Sequence, residues 1–138
     1  MSSEPTTPRE ELVMRDIEMW NTGETDAVDD LYADGSTYID PMGEAHDHES
    51  YAEYIDAIRT AFPDFHVDVR EFCGTGDVVA VRYTFGGTLE GPYRGFEPTG
   101  GSFELHGVAW YRIEDGAIVE AWNATNPMSI AQQVGALG

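Results

Sequence analysis

Lysine is absent from this chain of 138 residues; all seven of its basic residues are arginine. Against them stand 26 aspartates and glutamates, for a formal net charge of −19. A surface this acidic repels phosphate backbones and anionic headgroups, so neither nucleic acid nor a membrane surface is an expected partner. The lack of lysine also rules out a GxxxxGK[ST] phosphate loop. Cysteine occurs once, at Cys73, so no intramolecular disulfide can form, a usage that fits a reducing cytoplasm. No apolar run approaches the roughly 20 residues a membrane-spanning helix needs. The opening MSSEPTTPREE shows neither the basic nor the apolar region of a signal peptide, and a cytoplasmic location is the expectation. Repeats and low-complexity tracts are missing as well.

What is present suits one folded domain spanning residues 1–138. Hydrophobic residues make up 41% and aromatics 12%, enough for a core despite the charge. The acids are scattered, as in Glu10, Glu11, Asp26, Asp29, Asp30, Asp47, Glu49 and Glu53, rather than gathered in a tail. At 1 M salt the Debye length falls to about 3 Å, which screens such self-repulsion. Together with the missing lysine, this reads as a protein adapted to high salt, of haloarchaeal type. The charge then reports habitat and not mechanism.

Helix signals come first along the chain. Thr7-Pro8-Arg9-Glu10 is a capping box with proline at the first helical position, and a helix follows to about Asn21 with Val13, Ile17 and Trp20 on one stripe. Thr25 is placed to cap a short second helix with Val28, Leu31 and Tyr32 on its apolar side. Ser36 to Ile39 reads as a short strand and Asp40-Pro41-Met42-Gly43 as a turn. Tyr51, Tyr54, Ile55, Ile58 and Phe62 recur at helical spacing until Pro63. Strands dominate afterwards. Phe65, Val67 and Val69 alternate with polar residues, and so do Val79, Val81, Tyr83 and Phe85. Phe103, Leu105, Tyr111 and Ile113 share one parity. Glu114-Asp115-Gly116 is a hairpin turn, and the last strand runs from Ala117 to about Asn123. Asn126-Pro127 caps a short final helix that Gly135 can stop. Helices followed by strands predict an α+β domain.

Three of these features together, the alternating strands joined by a Gly/Pro loop (Gly87 to Gly101), the hairpin YRIEDGAIVEAW and the closing PMSIAQQVG, resemble the SnoaL-like polyketide cyclase (ester cyclase) family of the nuclear-transport-factor-2-like superfamily. The resemblance runs from about Arg9 to Gly135. It implies a curved mixed sheet forming a cone, about three helices packed on it, a pocket between them, and a homodimer through the outer sheet face. It further implies ring closure by an aldol step: a proton leaves the carbon beside a carbonyl and the resulting enolate attacks. That needs a base, a donor for the oxyanion and a dry apolar pocket, but no metal or organic cofactor. The family's segment after the hairpin carries a tryptophan, an aspartate, two variable residues and a second aspartate. Here it reads Trp122-Asn123-Ala124-Thr125-Asn126, so both acidic positions are amides, which cannot shuttle a proton at neutral pH.

The candidates for chemistry follow. Asn126 reads first as a helix cap, and Asn123 equally as a pocket polar group or a strand-end partner. His106 is an acid/base by residue type. Its parity companions Glu104, Val108, Trp110 and Arg112 place it on the outer face unless Gly107 marks a bulge. Asp40, at the end of the first strand, can act as a base if burial beside Tyr38 or Trp20 raises its pKa, and is otherwise a turn residue. His46-Asp47-His48-Glu49 invites a metal reading, but an exposed loop before a helix accounts for it better. Trp20, Tyr54, Phe62, Tyr93, Phe96, Trp110 and Trp122 are expected to line a pocket for a small hydrophobic molecule, with Phe85 and Met128 as core or lining. The leading expectation is a cofactor-free cyclase or isomerase acting on a hydrophobic carbonyl compound, with Asp40 and His106 as acid/base and Asn123 and Asn126 as orienters. The alternatives are a non-catalytic binding module and, third, a metal-dependent hydrolase or lyase using the His46 loop.

Overall fold

Helix α1 (Pro8–Thr22) begins where Thr7 Oγ1 accepts from the Glu10 amide at 3.1 Å. The Glu10 carboxylate turns back to Thr6, one residue further out than a capping box requires. Gly23, at φ 79°, ends the helix in the left-handed conformation that glycine adopts freely. These details come from a computed structural model that describes residues 2–137. A 3-10 turn (Thr25–Ala27) leads into α2 (Val28–Leu31); no side chain caps it, so Thr25 does not play the role expected of it. Tyr32 opens β1 (Tyr32–Ile39) instead of closing the helix, and that strand is twice as long as its sequence suggests.

A turn at Asp40–Glu44 returns the chain through β2 (Ala45–His46) to α3 (His48–Ala61). Asp47 accepts from the Ser50 amide at 2.9 Å and caps α3, so the helix begins at His48, with Glu49 and Ser50 in its first turn. The remaining strands are β3 (His66–Thr75), β4 (Val78–Thr88), β5 (Ser102–Glu114) and β6 (Ala117–Ala124), and α4 (Pro127–Gln133) adds a short fourth helix. In the β5–β6 hairpin both Asp115 and Gly116 take positive φ, 52° and 76°, as a two-residue type I′ turn demands.

The six strands form one sheet in the order β2-β1-β6-β5-β4-β3. β1 pairs parallel with β6 and every other pair is antiparallel, so the sheet is mixed, as expected of the cone. Register shifts in β1–β6, β3–β4 and β5–β6 increase the local twist and curl the sheet around the helices. The parity expected for β4 and β5 holds: Val79, Val81, Tyr83, Phe85, Phe103, Tyr111 and Ile113 all face the core. No helix among the described residues is long and apolar enough to cross a membrane.

At the centre lies a carboxylate. Asp16 sits on the α1 stripe between Val13 and Ile17 and is only 1% exposed. Tyr32 and Tyr51 donate to its Oδ1 at 2.9 Å each, and Tyr111 donates to its Oδ2 at 2.7 Å. Trp20 donates to the Tyr51 hydroxyl at 2.9 Å, extending the network. Burial raises the Asp16 pKa and the three hydroxyls partly pull it back. Replacing Asp16 with alanine strands three buried hydroxyls and should cost about 3 kcal/mol, roughly 1 for each. Urea denaturation at fixed salt measures it, and an unchanged midpoint would contradict the role assigned to this carboxylate.

Candidate functional site

A cavity opens between α1, α3 and the inner sheet face, walled by Ile17, Trp20, Ile58, Phe65, Phe85, Phe103 and Ile130. Its polar groups are few and grouped. Tyr83 projects from β4 across β5 to β6, where its hydroxyl donates to Asn123 Oδ1. Glycine at position 107 makes this crossing possible. Gly107 lies directly opposite Tyr83 in the register, and a Cβ there would stand 2.4 Å from the tyrosine ring. Gly107 is therefore no bulge but the floor under Tyr83. Asn123 Nδ2 in turn donates to the Tyr38 hydroxyl at 3.1 Å. The hydrogen of the Tyr38 hydroxyl has no acceptor among the described residues and is free to meet a ligand. Burial raises the pKa of Tyr38 well above the ordinary phenol value, as it also raises Tyr54 and Tyr83, so all three remain protonated donors.

The rim belongs to the segment 89–101. Leu89 and Gly101 pair through the backbone, and Glu90 and Gly91 donate to Ala61 O at the end of α3. Gly91 and Gly101 approach the backbones of Thr60 and Val134 so closely that a Cβ at either would lie 2.4 Å from a carbonyl oxygen. The rim is thus fastened to α3 at one root and to α4 at the other. Tyr93 and Arg94 project from it into the mouth, beside Tyr54 and Pro41.

Of the residues singled out in the sequence, Trp20, Tyr54, Tyr93 and Asn123 meet in this cavity. Phe62 is buried behind it, edge-on to Tyr93 and Phe103, and is core, while Phe96 packs half-buried against the core on the rim. Trp110 and Trp122 lie on the outer sheet face, contrary to the expectation that they line the pocket: Trp122 is 47% exposed, and Arg112 stacks over Trp110 at 5.2 Å. Met128 is also exposed, because α4 turns Ile130 inward instead. His106 is exposed beside Thr84 on the outer face, as its parity indicated, and does not reach the cavity. Asn126 caps α4 through the Ser129 amide and is exposed, so it too stands outside the cavity.

Asp40 is 4% exposed, but its oxygens are taken. Oδ1 accepts from the Met42 and Glu44 amides at 2.8 and 3.1 Å, and Oδ2 meets His46 Nε2 at 2.9 Å. Burial would raise its pKa, but these hydrogen bonds outweigh burial and lower it from 3.8, opposite to the direction expected. His46 is held on its other side by Ser50 at 2.5 Å and lies against the rings of Tyr38 and Tyr54. His48 turns elsewhere, to Asp29 and the Ala33 carbonyl, so the four residues 46–49 do not converge. Asp40, Glu44 and His46 do bring one ligand-type atom each within 4.8 Å of one another, inside hydrogen bonds that already hold the turn.

Two residues of this site, Arg94 and Tyr38, lie outside the set that the sequence marks as functional. Nothing in a Gly/Pro-rich loop marks one arginine over its neighbours. Tyr38 enters the sequence reading only as a neighbour for Asp40, although in β1 it shares the buried face with Ser36 and alternates with the half-buried Thr37 and Ile39.

The family profile described as SnoaL-like polyketide cyclase matches residues 10–134. A comparison with curated proteins finds no match. Among solved structures, IdmH, a candidate polyketide cyclase from Streptomyces antibioticus, is 26% identical with a TM-score of 0.81, over 92% of this chain and 98% of its own. A candidate SnoaL-like polyketide cyclase from Jannaschia sp. CCS1 is 20% identical with a TM-score of 0.86, over 96% and 98%. AclR, a candidate hydroxylase from Streptomyces galilaeus, is 24% identical with a TM-score of 0.81, over 92% and 80%. The latter two likenesses concern the fold alone.

The lowered pKa of Asp40 has a consequence for stability. Its stabilising contribution is present above the ordinary value of 3.8 and is lost as pH falls through the lower folded-state value. Asp40→Asn should therefore be less stable than the parent at pH 7, and the gap should narrow as pH drops below 3.8. Thermal melts across that range at constant salt check this; a gap independent of pH would contradict it.

Proposed function

This chain belongs to the SnoaL-like polyketide cyclase family, and from that membership we propose that its cone binds a small hydrophobic carbonyl compound and promotes a cofactor-free step of the ester-cyclase or isomerase type on it. The hydrogen-bond chain Tyr83–Asn123–Tyr38 inside an apolar cavity carries this reading. Each link is polarised by the one before it, so the Tyr38 hydroxyl is a strengthened donor for a ligand carbonyl. Such a donor is worth most where charge develops in the transition state, here on the oxygen of an enolate. Asn123 orients that donor, and Asn126 acts on the site only indirectly, by fixing α4 behind the pocket.

Asp40 stands behind the cavity wall, and its charge acts on both Tyr54 and Arg94. A carboxylate holding three hydrogen bonds is ionised at neutral pH but weakly basic, so the electrophilic donor, not the base, is the strong half of this site. A second reading, a binding module without turnover, is favoured by one observation: no carboxylate or imidazole lines the cavity among the described residues.

The setting we infer is a single-domain, cytoplasmic protein of a high-salt organism. We also infer a homodimer through the outer sheet face. Val108 is 48% exposed there beside Trp122, with Trp110 and His106 adjoining. Arg70, Arg82 and Arg112, three of the seven arginines, share that face and soften the repulsion between two acidic copies.

Deuterium exchange at the methyl group of 2-acetylnaphthalene, followed by NMR in D2O, reports enolisation directly. Turnover by the native protein should fall by about 10²-fold in Tyr38→Phe. Gly107→Ala, which displaces Tyr83 from Asn123, should lower it as well. Binding without any exchange selects the binding-module reading. For the dimer, light scattering should show two copies for the native chain and one for Trp122→Glu, and an unchanged mass in that variant would count against the interface.

A further inference from the structure

Arg94 is the only charged residue among those lining the cavity. It belongs to a chain with 26 acids and seven arginines, yet no carboxylate among the described residues lies within 4.0 Å of its guanidinium. Its position is held rather than free. Nε donates to the Tyr93 hydroxyl at 3.1 Å, and Cζ stands 5.5 Å from the Tyr93 ring centre. The guanidinium also lies near enough to the Tyr54 hydroxyl to act on its pKa, and both side chains line the cavity.

The backbone beneath this side chain is unusual. Tyr93 and Phe96 exchange two backbone hydrogen bonds, at 3.1 and 2.7 Å, around the two-residue turn Arg94-Gly95. Arg94 has φ 47° and Gly95 φ 83°, the pattern of a type I′ turn. Asparagine, aspartate or glycine suits the first of those positions, and a long side chain there costs of order 1 kcal/mol. Asp115 is the only other non-glycine residue at positive φ among those described, and it fills such a turn with a favoured residue type. Arginine thus occupies a strained position whose one evident product is a cation at the cavity mouth.

From this geometry we propose that the ligand is a carboxylate-bearing one: a flat apolar compound with a carbonyl at Tyr38 and a carboxylate at Arg94. This rests on the reading of the cone as a ligand site and specifies the class of molecule it takes. The guanidinium presents a planar fork that matches a carboxylate, and such a charge-assisted pair is stronger than a neutral hydrogen bond. Asp40 is the carboxylate whose charge acts on Arg94. It is already committed to His46 and to two backbone amides, so it does not compete for the Arg94 donors. The strongly negative remainder of the protein repels anions at long range, which makes one local cation in the mouth selective for an anion that arrives on an apolar body.

The test compares two probes of one shape. The native protein is titrated calorimetrically, at one fixed salt concentration, with 2-naphthoate and with 2-naphthamide. The carboxylate is expected to bind about tenfold more tightly than the amide. Arg94→Gln should erase that preference, so that the two probes bind alike, and Arg94→Lys should restore part of it. Equal affinity for the two probes in the native protein overturns the inference and leaves the ligand cavity standing. So does a preference for the carboxylate that survives Arg94→Gln. If neither probe binds, the reading of the cone as a site for hydrophobic ligands fails, and this inference fails with it.

Discussion

Asp16 sits where α1, β1, α3 and β5 meet, and hydroxyls from the last three elements end on its two oxygens. A buried carboxylate is expensive unless several donors replace the water it lost. Here the donors are the tips of large aromatic side chains, so solvating the charge also brings three rings into the core. The same three rings fix the distance between the helices and the sheet. Tyr51 accepts from Trp20, and Tyr111 and Trp20 are walls of the cavity, so the shape of the ligand space follows from how this one charge is satisfied. A mixed sheet that curls by register shifts supplies the cone. Asp16 supplies the spacing that keeps the cone open on one side and packed on the other.

Above that foundation the cavity divides its work between two ends. The inner end offers hydroxyl and amide dipoles arranged in series, which suit a carbonyl and the charge that grows on it. The outer end offers a fixed cation. Between them the walls are aliphatic and aromatic. This distribution differs from a site built around a carboxylate base, and it agrees with the two asparagines at positions where the family pattern has acids. On the proposed reading, this equipment serves to hold, orient and polarise a flat molecule.

Much of this was legible in the sequence. Period-two alternation gave the faces of β4 and β5 correctly, because those strands pack one face only, and the same parity placed His106 outside. Asn126 before Pro127 was readable as a cap for local reasons that tertiary structure did not disturb. Other residues were hidden by distance along the chain. Asp16 falls between Val13, Ile17 and Trp20 at helical spacing, a signal that a polar group faces the core, but its three partners lie 16, 35 and 95 positions away. For Asp40 the sequence leaves two readings open, a base raised by burial or a turn residue, because the two amides and the imidazole that lower its pKa depend on the fold of a five-residue turn. Trp122 and Trp110 lie outside against the expectation that aromatic side chains line the pocket, though the parity that puts His106 on the outer face puts Trp110 there as well. Arg94 could not be found, since the conformation that singles it out is set by a turn that closes only when the rim is assembled.

The rim's attachment at both roots bears on how the protein discriminates among small molecules. A loop that folds over its guest charges every guest the same ordering entropy, and a poor guest can be refused at that step. This mouth is already ordered through backbone bonds to α3 and close packing against α4. It therefore levies little such cost. For the ligand proposed above, selection would then fall to static complementarity, in which a wrong molecule enters as fast as a right one and is distinguished only by how soon it leaves.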